Sequence, residues 1–213
     1  LAFHPNGEEL ISASWDLTVK RWSLEPSPPV LGAHQHVVQD LDYSPDGKWL
    51  ATASYDQTIK LWQMPDRRLA HVFSSTKSPV KTVRFSHDGQ WLAAGTADGM
   101  LYLWDLQDRQ IKTRRLAHQQ QINQIAFTPD SRWIGSVSND GLVKLWNLTD
   151  DHPVAVIRDQ QGPVNTIAFS PDGSHCVTGG HDQMLRVWNR ENQQLVEEIP
   201  GHRLGILTVD WSL

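Results

Sequence analysis

Read for hydrophobic patterning, the chain breaks into short apolar-rich runs separated by turn residues. No window sustains the 3.6-residue apolar period of a helix. Between residues 37 and 73 four runs follow one another: VVQDLDY (37–43), KWLATAS (48–54), TIKLWQ (58–63) and RRLAHVF (67–73). Their β-branched and aromatic content predicts strands. The turn between the first two is SPDG (44–47). Pro presets φ at the first corner, Asp bonds its own backbone, and Gly accepts a positive φ at the exit. In the second run Trp49, Leu50, Ala51 and Ala53 are apolar at both parities, the pattern of a strand covered on both faces. Fourth runs such as RQIKTRRL (109–116) are more polar and read as outer strands.

The unit repeats. Trp22, Trp62, Trp104, Trp146 and Trp188 are 40, 42, 42 and 42 residues apart, and Asp16, Asp56, Asp98, Asp140 and Asp182 keep the same intervals. Trp49, Trp91 and Trp133 form a second series of period 42. The other turns are HPNG (4–7), SHDG (86–89), TPDS (128–131) and SPDG (170–173). Ser131 stands where Gly belongs, which predicts some turn strain without loss of the hairpin. In the first strand the apolar positions are spaced three and then two, as in Val164, Ile167 and Phe169. That one-residue slip predicts a β-bulge. The residues at the slip are Gln39, Lys81, Asn123 and Asn165, all polar, and a bulge would turn them toward one rim.

A four-stranded antiparallel sheet recurring every ~42 residues predicts a propeller blade. The chain resembles the WD-repeat β-propellers over its whole length. The residues that carry the resemblance are GAH (32–34) and GH (201–202), the SPDG turns, the S/T-x-x-x-D step and the closing Trp; the Trp-Asp pair itself occurs at Trp104-Asp105. The AFSPDG-type repeats are similar to those of large bacterial signalling proteins, and related arrays occur in eukaryotes. The expected fold is all-β: about five repeats (roughly 1–30, 31–73, 74–115, 116–157 and 158–199) and the first strand of a sixth over 200–213. Two arrangements fit: an open arc of a larger, seven-bladed propeller, which we favour because the chain starts mid-pattern without Met, or a five-bladed ring closed by strand 206–211 pairing with 8–13.

Hydroxyl, imidazole and carboxylate together raise the question of a hydrolytic triad. A catalytic set should be single, whereas these groups recur. The resemblance implies instead a buried tetrad within each blade. It would be His34, Thr52, Asp56 and Trp62 in the second, and His118, Ser136, Asp140 and Trp146 in the fourth. The first has Ser12, Asp16 and Trp22; the fifth has Thr178, Asp182 and Trp188, with Gln160 in place of His; the third keeps Asp98 and Trp104, with Thr76 and Ala94 in the other slots. Donor and acceptor counts allow Trp to donate to the hydroxyl, the hydroxyl to His, and His to Asp.

Composition narrows the function. Net charge is −5 with 20% charged residues, and the short basic clusters RR (67–68) and KTRR (112–115) read as solvated outer strands, so no nucleic-acid partner is expected. No apolar run reaches the ~20 residues of a membrane helix, and the single cysteine, Cys176, fits a reducing, cytoplasmic setting. No phosphate-binding loop, nucleophile elbow or paired-Cys motif occurs, and nothing completes a metal site around His34 and His36, so no catalytic residue and no cofactor is expected. The resemblance implies a non-catalytic scaffold that presents loops to a protein or peptide. The residues proposed to meet it are the bulge set and those before each turn Asp: Trp15, Tyr55, Asn139 and His181, with Ala97 in the third repeat. A regulatory module of a larger signalling protein and a ligand-binding or enzymatic channel are the alternatives.

Overall fold

The computed structural model describes residues 1–5, 10–14, 16–22, 30–64, 66–74, 76–148, 150, 152–158 and 161–211, without the side chains of 30–32. The described strands form five four-stranded antiparallel sheets, each an uninterrupted meander. Blade 1 holds β1 (Ala2–Phe3), β2 (Leu10–Ala13), β3 (Thr18–Trp22) and β4 (Val30–Ala33). Blade 2 holds β5 (Val38–Tyr43), β6 (Trp49–Ser54), β7 (Ile59–Gln63) and β8 (Arg68–Phe73). Blade 3 holds β9 (Val80–Phe85), β10 (Trp91–Thr96), β11 (Met100–Asp105) and β12 (Gln110–Leu116). Blade 4 holds β13 (Ile122–Phe127), β14 (Trp133–Ser138), β15 (Val143–Asn147) and β16 (Pro153–Ile157). Blade 5 holds β17 (Val164–Phe169), β18 (His175–Gly180), β19 (Met184–Asn189) and β20 (Leu195–Pro200).

The blades stack in chain order through their first strands, β1 on β5, β5 on β9, β9 on β13 and β13 on β17. The second strands of blades 2 to 5 are buried on both faces, which is why their sequences do not alternate. Core clusters therefore lie between blades: Phe73 and Leu61 meet Phe85 and Leu92, and Ile157 meets Ile167 and Phe169. Cys176 is buried in the second of these, and burial pushes its thiol up to about 12. In blades 2 to 5 the fourth strand is the most exposed, fully so in β20.

The arrangement is an open arc. Residues 206–211 lie on blade 5, where Ile206 N donates to Gly180 O at 2.8 Å and Val209 N to Thr166 Oγ1 at 2.9 Å. They do not close a ring on β2, whose partners are β1 and β3. Apolar side chains are exposed at both ends of the arc: Leu1, Phe3 and Trp22 at one, Val196, Leu204 and Leu207 at the other.

The first strands of blades 2 to 5 carry the bulge. Register slips between Val38 and Asp40, between Ile122 and Gln124, and between Val164 and Thr166, with the equivalent slip opposite Gly95 and Thr96 in β9. Gln39, Lys81, Asn123 and Asn165 are the residues stepped over. The opposite rim is tied by the SPDG-type turns. Ser44 Oγ donates to Asp46 Oδ1 at 2.7 Å and accepts from Trp49 N at 2.9 Å, and Ser86, Thr128 and Ser170 repeat the arrangement. Ser131 adopts the positive φ, 58°, that glycine adopts in the other described turns, and the hairpin is intact. Its hydroxyl has an added use: it accepts from Asp88 N of blade 3 at 3.0 Å.

Candidate interaction face and the buried tetrads

In blade 2 His34 Nδ1 lies 2.9 Å from Asp56 Oδ2, His34 Nε2 lies 2.7 Å from Thr52 Oγ1, and Trp62 Nε1 donates to the same hydroxyl at 3.0 Å. Blade 4 repeats the chain: His118 Nδ1 to Asp140 at 3.0 Å, Nε2 to Ser136 Oγ at 2.8 Å, and Trp146 Nε1 to Ser136 Oγ at 2.8 Å. A carboxylate at Nδ1 places the imidazole proton there and leaves Nε2 to accept from the hydroxyl. Asp56 further accepts the Gln35 and Thr58 amides, which anchors the turn to the strand entering the blade. Burial drives both histidine pKa values down, against the pull of Asp56 and Asp140, so both rings are neutral near pH 7. Burial alone would raise Asp56, but the Thr58 hydroxyl, the Gln35 amide and His34 outweigh it and hold it below the usual carboxylate range.

These groups cannot meet a substrate. His34 is 3% exposed, and His118, Thr52 and Ser136 are 0% exposed. Each hydroxyl is already held between an indole and an imidazole, so it is neither open to solvent nor aimed at a cleft.

The other blades solve the same problem differently. In blade 1 Trp22 Nε1 donates to Ser12 Oγ at 2.8 Å, but the indole is 52% exposed at the end of the arc. In blade 3 Ala94 removes the hydroxyl, Thr76 Oγ1 donates to the Gln57 carbonyl of blade 2, and Thr96 Oγ1 donates to Asp98 at 2.5 Å. Aromatic packing takes over: Trp104 stacks on Tyr102 at 5.5 Å and meets Phe73 at 5.2 Å. In blade 5 Trp188 still donates to Thr178, at 2.9 Å, while Arg186, 4% exposed, reaches Asp182 at 2.5 Å and Glu198 at 2.7 Å. Arg186 was not among the residues singled out from sequence. The signal was there: Asp182 without a His, and a guanidinium four residues on.

The proposed partner-facing residues gather on the bulge rim. The pairing that puts each bulge opposite the end of the second strand also puts it beside the turn before the Asp. Tyr55, half-buried, accepts a hydrogen bond from Lys81 Nζ at 2.8 Å, and the ammonium stands 5.0 Å from the ring centroid. His36 lies beside it, ring centroids 5.7 Å apart. Asn123 Nδ2 donates to Asn139 Oδ1 at 2.8 Å and to Val164 O at 2.7 Å, and Gln121 Nε2 donates to Asn123 Oδ1 at 2.9 Å. Asn165 Nδ2 donates to Ile206 O at 2.8 Å. The two asparagines thus tie their blade to the next as well as facing the rim. Gln39 and His181 are exposed. Trp15 lies outside the described residues.

Below this rim the channel wall carries charge that the sequence reading did not single out. Arg84 Nη1 pairs with Asp40 Oδ2 at 2.6 Å, Asp40 also accepts Val83 N, and Asp42 accepts Phe85 N at 2.8 Å. Burial pushes Asp42 up to about 6, against Arg84 and the Phe85 amide. Burial works against the Arg84 cation, but Asp40, Asp42 and Asp210 outweigh it and raise its pKa.

The model of one protein family, described as the IFT122 first beta-propeller, matches residues 1–213, the full chain. No curated protein matches the chain.

Proposed function

We propose, from the premise that the chain belongs to the family of the IFT122 first beta-propeller, that it is a non-catalytic scaffold whose bulge rim captures a protein or peptide partner. The Tyr55–Lys81 pair carries this reading. A large aromatic at a turn tip adds little to packing, and tyrosine with its polar handle is favoured at interfaces. Here it is held in place by a cation from the next blade, so it meets a partner with little ordering left to lose. Asn139, His181, Gln39, Asn123 and Asn165 share the rim, and Trp15 joins the series by its place before Asp16.

Residues 1–213 act as one WD-repeat propeller region, with a cytoplasmic setting and no nucleic-acid or membrane partner. In support, the net charge is −5, and no helix among the described residues is long and apolar enough to cross a membrane. The AFSPDG-type repeats favour a second reading, in which the same rim serves a regulatory module of a larger signalling protein.

A pull-down comparing the parent chain with Tyr55→Ala tests the proposal. The variant should keep its stability to within about 1 kcal/mol, the net worth of one part-exposed hydrogen bond, and lose partner capture. Undiminished capture by Tyr55→Ala and Trp15→Ala alike would remove the rim from the binding face.

A further inference from the structure

Four bulge residues lie in series along this rim: Gln39, Lys81, Asn123 and Asn165. Three are neutral amides and one is a cation. Lys81 Nζ is fixed by the Tyr55 hydroxyl and ring, and it makes no ion pair among the described residues. The carboxylates nearby in the repeat are engaged elsewhere. Asp56 is taken by His34, Gln35 N and Thr58, Asp140 by His118, Gln119 N and Leu142 N, Asp182 by Arg186, and Asp98 by Thr96. An ammonium positioned by a tyrosine and without a counter-ion among the described residues is open to a charge-assisted bond from an anionic group of a partner. His36 lies beside the Tyr55 ring, with centroids 5.7 Å apart.

We infer that Lys81, Tyr55 and His36 form an acceptor site for the carboxylate of an Asp or Glu side chain on an extended peptide segment of the partner. This rests on the rim being the partner-binding face. A single ammonium suits a carboxylate; phosphate recognition favours clustered guanidinium groups, and the arginine nearest in the strand, Arg84, is committed to Asp40. Further along the rim, Asn139 Nδ2 makes no hydrogen bond among the described residues and can hold the peptide backbone.

The test is selection of a random displayed peptide library on the chain, followed by fluorescence anisotropy of the selected peptides. The inference expects enrichment of Asp or Glu at one position, and loss of about tenfold or more in affinity on replacing it by Asn or Gln. Lys81→Gln should produce the same loss, Lys81→Arg should restore most of it, and binding should weaken as salt rises from about 50 to about 200 mM. Peptides that lose affinity on Asn139→Ala, carry no enriched acid and ignore Lys81→Gln would overturn the inference and leave the rim as the binding face. Peptides indifferent to Asn139→Ala, Tyr55→Phe and Lys81→Gln would overturn both, as would recovery of no binding peptide. Phosphopeptides preferred over their Glu counterparts would replace the carboxylate reading with an anion site of different valence.

Discussion

The tetrad histidine is a single residue on which several buried partners depend. Removing the His118 ring leaves Asp140 and Ser136 buried without their central partner, and leaving such groups unmade costs more than a hydrogen bond contributes net. His118→Ala should therefore destabilise the fold by ~1–3 kcal/mol, read as a fall of several degrees in the thermal midpoint. A melt superimposable on the parent would show that the tetrad does not hold the blade. Gly99 is constrained as tightly for a steric reason. Its φ is +81°, and a Cβ there would lie 2.1 Å from the His118 carbonyl oxygen. The backbone of the tetrad histidine thus fits against a turn that admits no side chain. Gln57 and Gln183 hold the matching turns at φ 70° with side chains, so this demand belongs to blade 3.

Among elements, the blades are interchangeable in outline and individual in how they are held together. Blade 5 replaces the histidine by a buried guanidinium bridging two carboxylates on neighbouring strands, Asp182 before β19 and Glu198 in β20. Arg186→Ala leaves Asp182 without its cation, and loss of charged hydrogen bonds of this kind costs about 2 kcal/mol. Chemical denaturation should show that loss with little change in m value. Blade 3 dispenses with the polar chain and stacks Tyr102 on Trp104, and Thr76, in the place of the histidine, makes a single side-chain hydrogen bond among the described residues, to the Gln57 carbonyl. The strands themselves were legible, because turn chemistry and two-sided burial leave marks within a few residues. The bulges were legible too, since a slip in alternation is local. Arg186 and Tyr102 were not read, because their importance depends on the absence of a group some 26 residues earlier.

Across the molecule, stability should follow pH through groups that oppose one another. His34 and His118 have folded pKa values below 6.5, so the unfolded chain takes their protons first. Their contribution is complete above about pH 6.5 and is lost as pH falls below it. Asp42 runs the other way. Its folded pKa of about 6 exceeds the ordinary carboxylate value of 3.8, so the folded chain binds the proton first and gains relative stability as pH falls through 6. Asp42→Asn removes that gain. The variant should melt higher than the parent at mildly alkaline pH, and its midpoint should fall more steeply between about pH 6.5 and about pH 4.5. Parallel midpoint curves for the two proteins would mean that Asp42 does not titrate in this window.

The sequence by itself determined the blade: four strands, an SPDG-type turn, a bulge and a closing Trp are written in local apolar order and turn residues, and the period near 42 copies them along the chain. The tertiary structure alone decided which groups meet between blades. Lys81 reaches Tyr55 across 26 positions, and Arg84 reaches Asp40 across 44. Sequence spacing fixes partners within a strand pair. It does not fix how one blade rotates against the next, and that rotation brings a lone ammonium to a tyrosine at the rim and a guanidinium among carboxylates in the channel.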